Sequence, residues 1–309
     1  MYPLKFEPYL REMVWGGEKI APFKGIKTKQ HNIGESWEIS AVPGCVSVVS
    51  NGTFAGKSLT EVMNEYGPEL VGKKVFAKTG TEFPLLIKFI DAKSDLSIQV
   101  HPNDELAART YPGMKGKTEM WYVLDCEPGA FLYYGFDHEI SREELEERIR
   151  NNTLTEVLNA VPVKKGDCFF IPSGTLHAIC KGVVVAEVQQ NSNVTYRVYD
   201  YGRVGADGKP RALHVKQALE VMRRTPPEQH DFSPHLAKCD YFTVDVVAGG
   251  YTGTADETSF VSLLITEGEG RLICGGETVQ AKKGDSFFIT AGSGAYALTG
   301  SCKALLTTV

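Results

Sequence analysis

The sequence predicts a mainly β protein built from two similar β-barrels, with a few helices packed around the first. Three observations carry that expectation. Short apolar or alternating runs end in glycine and Asn-Gly turns, as where residues 46–50 run into Asn51-Gly52, and both are β signals. The stretch Val163-Lys-Lys-Gly-Asp-Cys-Phe-Phe-Ile-Pro-Ser-Gly-Thr-Leu-His177 is echoed by Ala281-Lys-Lys-Gly-Asp-Ser-Phe-Phe-Ile-Thr-Ala-Gly-Ser-Gly-Ala295, the mark of an internal repeat. Finally, Gln99 and His101 flank Val100 in a strand-like run, and on a strand an i, i+2 spacing places both side chains on one face.

The elements follow in order. Residues 36–40 and 46–50 read as strands, as does the region of Trp15-Gly16-Gly17. Ser58-Leu59-Thr60-Glu61 is a capping box, and Leu59, Val62, Met63 and Tyr66 then lie on one face of a helix at 58–67 that stops at Gly67-Pro68. Residues 83–89 form an apolar strand leading to Ser97-Ile98-Gln99-Val100-His101-Pro102. Asn103 caps a short helix at 103–110. Two further capping boxes, Ser141 to Glu144 and Thr153 to Glu156, predict a helical insert at about 139–160, helical from 141. Strands resume at Cys168–Ile171 and at 183–188, and Val215, Leu219 and Met222 mark a helix at 214–224. Pro226-Pro227 and Ser233-Pro234 read as a linker, giving a catalytic domain at 1–230 and a degenerate second domain at 238–309.

Composition narrows the function. The 309 residues are 42% hydrophobic and 23% charged, ordinary for a globular chain with a core. A net charge of −5 excludes bulk attraction to nucleic acid or an anionic membrane, so an anionic substrate needs a local cationic pocket. Seven cysteines with no Cys-x-x-Cys pair suit reduced thiols. No signal-like N-terminus or membrane-length apolar run is present, and the expected location is the cytoplasm. The sequence carries no signature of a particular oligomeric state.

The chemistry concentrates in the first half. Glu119 heads the apolar run Met120-Trp121-Tyr122-Val123-Leu124, and His177 follows a strand and a turn, so three strands bring donors toward one point. Either histidine alone is more often structural; with Gln99 and Glu119 converging, the set reads as a metal site. Gln99 is the weakest ligand, since neutral amides bind zinc poorly, and it could instead orient a metal-bound water. Lys117 competes with a solvated lysine and Arg197 with a surface ion pair, although Arg197 alternates with strand residues. Trp15, Trp37 and Trp121 read as core; His214, His230 and His235 are given no role. The repeat keeps Gly166, Asp167 and Gly174 as Gly284, Asp285 and Gly292, but His177 has become Ala295 and, by this alignment, Glu119 has become Phe260. The second copy has kept its packing and lost its ligands.

The run Gly166-x5-Pro172-x-Gly174-x2-His177 resembles the second motif of the cupin β-barrels, with Lys181 where an Asn is usual, while Gln99-Val100-His101 and Glu119-x9-Gly129 take the place of the first. Leu96 to Pro102, Gly116-Lys117-Thr118-Glu119-Met120, Ile171 to His177 and Gln190 to Asp200 together resemble the type I mannose-6-phosphate isomerases, in their short bacterial form, over nearly the whole chain. The resemblance implies two cupin-type (jelly-roll) barrels and interconversion of mannose 6-phosphate and fructose 6-phosphate through an enediol. It implies one divalent metal per chain, most commonly Zn2+, held by Gln99, His101, Glu119 and His177. It makes Arg197, Lys117 and Glu187 the catalytic residues, and Ser97, Lys117 and Arg197 those that bind the sugar phosphate, with no nucleic-acid or membrane partner. Asn193 departs from the family, standing where relatives carry Asp. Two rival readings are a metal-dependent cupin of another class, such as a dioxygenase, and a non-catalytic sugar-binding bicupin.

Overall fold

The structure, a computed structural model, describes residues 1–204 and 208–309. It is mainly β, with four antiparallel sheets and, among the described residues, seven short α-helices. In the first half, a six-stranded sheet runs in the order Cys168–Ile171, Glu119–Cys126, Val183–Gln190, Leu85–Asp91, Ile33–Ile39, Tyr9–Gly17. A five-stranded sheet, ordered Tyr196–Tyr199, Ile98–Val100, His177–Ile179, Phe131–Phe136, Leu158–Pro162, packs against it. Trp121, Val123, Val183 and Val185 from the first sheet meet Leu132 and Ile179 from the second in one core cluster. The two sheets form the mainly β, jelly-roll half expected from the sequence, as a sandwich rather than a closed barrel, since among the described residues no strand joins one sheet to the other.

Strand parity fixes what faces that interior. Val183–Gln190 is buried along its whole length, because it has strands on both sides and packing on both faces. Val184, Ala186 and Val188 face an outer core, and Val183 and Val185 face inward, so Glu187 and Gln189 must also point into the sandwich. Lys88, between inward Leu86 and Ile90, shares this fate, as does Glu119 two residues before Trp121. The interior of a sandwich is an expensive place for such groups unless they are paired or ligating.

In the second half, a seven-stranded sheet (Ala237–Lys238, Thr243–Ala248, Lys303–Thr308, Val261–Glu267, Ser286–Ile289, Leu4–Glu7, Val48–Val49) packs on a four-stranded one (Tyr251–Ala255, Gly294–Gly300, Glu269–Cys274, Glu277–Lys282). Two of its strands come from the N-terminal end of the chain: Leu4 pairs with Phe288, and Phe6 with Val49. The two halves also share a core, in which Leu59, Met63, Leu70 and Val75 from helices meet Phe89 and Ala186 on one side and Phe260, Phe288 and Leu305 on the other. Lys24 crosses between them, ion-paired to Glu38 at 2.7 Å and donating to Gly284 O at 2.5 Å, with both side chains buried.

The repeat is visible as shared turn chemistry. Gly166 N donates to Val123 O, Asp167 N to Lys164 O, and Asp167 Oδ2 accepts from Lys164 N; Gly284 N donates to Ile265 O, Asp285 N to Lys282 O, and Asp285 Oδ2 accepts from Lys282 N. Gly166 and Gly284 take φ of 91° and 86°, a region that only glycine enters without strain. Val123 therefore corresponds to Ile265, and Glu119 to Val261 rather than to Phe260. The pairings Ile171 with Glu119 and Ile289 with Val261 agree. The alignment slipped by one because two successive apolar residues carry no mark of register.

The helices at 58–67, 103–110 and 214–224 appear as Leu59–Tyr66, Asp104–Thr110 and Val215–Val221. Ser58 forms the full capping box, and Asn103 accepts from Leu106 N. The helix expected over 141–160 is shorter. Arg142–Arg150 is helical, Leu154–Val157 is a 3-10 turn, and Leu158–Pro162 is a strand paired with Phe131–Phe136. Thr153 caps nothing: Asn152 before it turns left-handed at φ 56°, and the chain re-enters the sheet. Three short helices were not expected from the sequence, Ile20–Lys24, Pro68–Val71 and Lys73–Thr79. Pro68, taken as a stop, is also the first residue of the next helix, a position proline favours. No described helix is long and apolar enough to cross a membrane.

Candidate active site

Two cross-strand rows build the site. On the five-stranded sheet, His177 pairs with Gln99 and Gln99 with Arg197, so the three residues lie side by side across three strands. On the six-stranded sheet, Trp37 pairs with Lys88, Lys88 with Glu187, and Glu187 with Trp121. Glu119 and Gln189 form the next row. A cavity of about 270 Å³ lies between the sheets, lined among others by Ser97, Gln99, Lys117, Glu187, Asn193 and Arg197.

His101, Glu119 and His177 are buried, and their ligating atoms all lie within 4.8 Å of one another. His177 Nε2 is 3.2 Å from Glu119 Oε1, and His101 Nε2 is 3.7 Å from Glu119 Oε2. Each imidazole has its other nitrogen against a backbone carbonyl: His101 Nδ1 is 3.0 Å from Val194 O, and His177 Nδ1 is 2.8 Å from Thr175 O. A carbonyl only accepts, so the proton sits on Nδ1 and the Nε2 lone pair faces the site. Burial first, then the Lys117 charge, holds His101 well below 6.5 and brings His177 to about 3, so both rings are neutral. Burial, then Glu187, raises Glu119 to about 7 against the pull of Lys117. His177 Nε2 and Glu119 Oε1 have no hydrogen-bond donor, and Glu119 Oε2 has only Lys117 Nζ beside it. Two neutral imidazoles and a carboxylate with orphaned lone pairs at a buried point fit a divalent metal. Among the described residues this is the one such cluster.

The cations and carboxylates around it alternate. Lys117 Nζ lies 2.7 Å from Glu119 Oε2, 3.0 Å from His101 Nε2 and 3.8 Å from Glu187 Oε1. Lys88 Nζ is 2.9 Å from Glu187 Oε1 and 4.0 Å from Glu35 Oε1, and Arg11 Nη1 is 2.9 Å from Glu35 Oε2. Burial pushes the Glu187 carboxyl up, but Lys88, Lys117 and hydrogen bonds outweigh it and leave it below its ordinary value. Across the cavity, Arg197 Nε donates to Ser97 Oγ at 3.2 Å, and the Ser97 hydroxyl donates to Gln99 Oε1 at 3.3 Å. Arg197 Nη1 donates to Ala212 O at 3.0 Å.

Comparison with known proteins decides the family. Residues 4–128 match "Phosphomannose isomerase type I, catalytic domain", and residues 233–309 match "Mannose-6-phosphate isomerase, cupin domain". The mannose-6-phosphate isomerase ManA of Bacillus subtilis is 39% identical, over 98% of this chain and 98% of that protein. The chain belongs to the type I phosphomannose isomerase family. The family's solved structures agree: the mannose 6-phosphate isomerase of Bacillus subtilis superposes with a TM-score of 0.91 at 34% identity, covering 100% of both chains. A putative mannosephosphate isomerase from Archaeoglobus fulgidus gives 0.81 at 26% identity, over 99% of this chain and 96% of that one.

Within this type I phosphomannose isomerase fold, all eight residues singled out in the sequence meet at one place. Ser97, Gln99, Lys117, Glu187 and Arg197 line the cavity, and His101, Glu119 and His177 cluster beside it. Lys117 is buried and ion-paired, not a solvated lysine. His214, given no role from the sequence, lines the cavity and accepts from Arg197 N at 3.3 Å through Nδ1. Lys88, Glu35 and Arg211 also line the cavity unforeseen. Lys88 had left a signal, an ammonium between apolar residues of inward parity in Leu85–Asp91. Gln189, opposite Glu119, is wholly buried with an orphaned Oε1, while its Nε2 donates to the carbonyls of Gln190 and Ser192.

Proposed function

We propose that the chain interconverts mannose 6-phosphate and fructose 6-phosphate, with Glu187 and Lys117 moving the proton and Arg197 meeting developing negative charge. Full-length likeness to mannose-6-phosphate isomerases supports the reaction and favours neither the dioxygenase nor the binding-only reading. The observation that carries the residue roles is the pairing, across one cavity, of an ionised carboxylate with a fixed guanidinium. Glu187 lines the cavity, and its Oε1, with Lys88 Nζ at 2.9 Å and Lys117 Nζ no nearer than 3.8 Å, keeps a second lone pair to take a proton from sugar C2. The same carboxyl, once protonated, returns the proton to C1. As the carbon–hydrogen bond breaks, negative charge grows on O1 or O2, and a guanidinium held by Ser97 and Ala212 needs no reorganisation to meet it. Lys117, 3.8 Å from Glu187 Oε1, carries the proton that the hydroxyls exchange.

His101, Glu119 and His177, with Gln99 as a fourth donor, would hold the metal. Zinc is the ion best matched to two imidazoles, an amide and a carboxylate, one per chain. Such an ion supplies positive charge that favours the enediolate over the ground state. Ser97 and Arg197, together with Lys117, bind the sugar phosphate. The test is a coupled assay on mannose 6-phosphate with Glu187→Gln and Lys117→Met variants. Losses in kcat of roughly a hundredfold or more are expected for each; unchanged kcat in both would remove them from the reaction.

A further inference from the structure

Trp121 was read from the sequence as core, yet its indole N–H does something packing does not require. The ring is 1% exposed, and Nε1 donates to Glu187 Oε2 at 2.7 Å, within the cross-strand row that joins the two residues. The other carboxylate oxygen, Oε1, is held at 2.9 Å by Lys88 from the opposite side of the same row. Glu187 is therefore pinned by one neighbour on each oxygen. The lysine alone is a point charge, around which a carboxylate can rotate; the indole, a directional donor on a rigid ring, removes that freedom. The ring also stands edge-on to the His177 imidazole, with centroids 5.3 Å apart and planes at 77°. One bicyclic plane thus spans from the carboxylate on one sheet to a metal-ligand candidate on the other.

A second tryptophan repeats the arrangement at the far end of the row. Trp37 Nε1 donates to Glu35 Oε2 at 2.7 Å, but there Arg11 occupies the same oxygen at 2.9 Å. Both donors thus crowd one oxygen, and Oε1 has only Lys88, 4.0 Å away, so Glu35 is not held at each oxygen as Glu187 is. The asymmetry singles out the Trp121 pair.

We propose that Trp121 is a positioning residue, which holds the Glu187 carboxylate in the orientation that presents Oε1 to the sugar carbon. The inference rests on Glu187 as the proton-transfer group. Reaction geometry is steep in this respect, since a misplacement of about 1 Å can cost on the order of a hundredfold. Removing the N–H while keeping an aromatic ring should therefore lower kcat more than it changes substrate binding, because the group removed is turned to Glu187, and an aromatic ring still lines the cavity.

The experiment is a double-mutant cycle on the metal-loaded enzyme, with metal content and thermal midpoint measured on every variant. Trp121→Phe is expected to lower kcat roughly ten- to a hundredfold, to change KM for mannose 6-phosphate less than about threefold, and to keep about one metal per chain. In a Glu187→Gln background, adding Trp121→Phe should lower kcat by less than about twofold, since there is no longer a proton acceptor to position. Trp121→benzothienylalanine, which replaces N–H by sulfur and keeps the bicyclic shape, repeats the measurement without opening a cavity. Equal losses from Trp121→Phe in both backgrounds, or full kcat in the benzothienylalanine variant, would overturn the proposal, and so would loss of the metal with the activity. If Glu187→Gln alone keeps full kcat, it is the assignment of the base that fails. If Glu187→Gln is inactive and Trp121→Phe is not impaired, the positioning role fails and the base stands.

Discussion

At the scale of single residues, burial and charge decide which groups can act. Arg197 is half-buried, and its contacts to Ser97 Oγ and Ala212 O fix the guanidinium plane. Arg197→Ala should lower kcat by about a hundredfold or more with the metal retained, and Arg197→Lys should recover little, because an ammonium lacks the fork. A change confined to KM would make it a phosphate anchor instead. Glu35 and Glu187 are both buried, which raises their carboxyls, but Lys88 leads the charges that bring both below 4.5. A folded value below the unfolded one contributes stability that is present above pH 4.5 and lost as the pH falls through the folded value. Urea midpoints measured between pH 5 and 3 should therefore fall, and fall less steeply in Glu187→Gln. The ligand set and Arg197 were legible because their spacings and flanking motifs survive as linear patterns. Glu35 was not, since it joins the site only through pairings between strands distant in sequence, nor was His214, which reaches it through a single contact to the Arg197 backbone, while Lys88 left only its inward parity as a signal.

At the scale of elements, local rules held where the signal was local. The Ser58 capping box and the Asn103 cap formed as read, and Ser58→Ala should cost about 1 kcal/mol in urea unfolding. The Thr153 box failed because the strand Leu158–Pro162 claimed the following residues, a tertiary pairing that outweighs a cap. Register was the other blind spot. In the second half, Val261, Thr254 and Ala295 stand where Glu119, Gln99 and His177 do, as the ladders with Ile289 and between Thr254 and Ala295 show. Apolar runs disclose that strands pair, not which residue faces which. Lys24 is the element-level link between the halves. Lys24→Met leaves Glu38 buried with only Ser36 Oγ as a donor, at 2.5 Å, and should destabilise the chain by about 3 kcal/mol or more. A midpoint unchanged by that substitution would show that water reaches Glu38.

For the whole molecule, two sandwiches share strands and a core but divide the chemistry. The first has its polar interior, and the second has an apolar one, in which Leu263, Leu272, Phe287 and Leu298 pack together and Val261 stands in the place of Glu119. Leu4–Glu7 and Val48–Val49 extend the second sheet from the first half, so the halves are joined by strand pairing as well as by the shared core. The strand exchange was not readable in the sequence, because pairing of a short N-terminal strand with residues almost three hundred positions later leaves no local trace. The proposed division of labour predicts one metal per chain, and elemental analysis should give about one, falling to near zero in a His101→Ala, His177→Ala double variant. The most direct measurement joins that count to turnover. Mannose 6-phosphate is given to the native chain, to the chain after chelation, and to the chelated chain after one equivalent of zinc. Fructose 6-phosphate should form in the first and third and not in the second; full turnover by a chain verified to be free of metal would contradict the account.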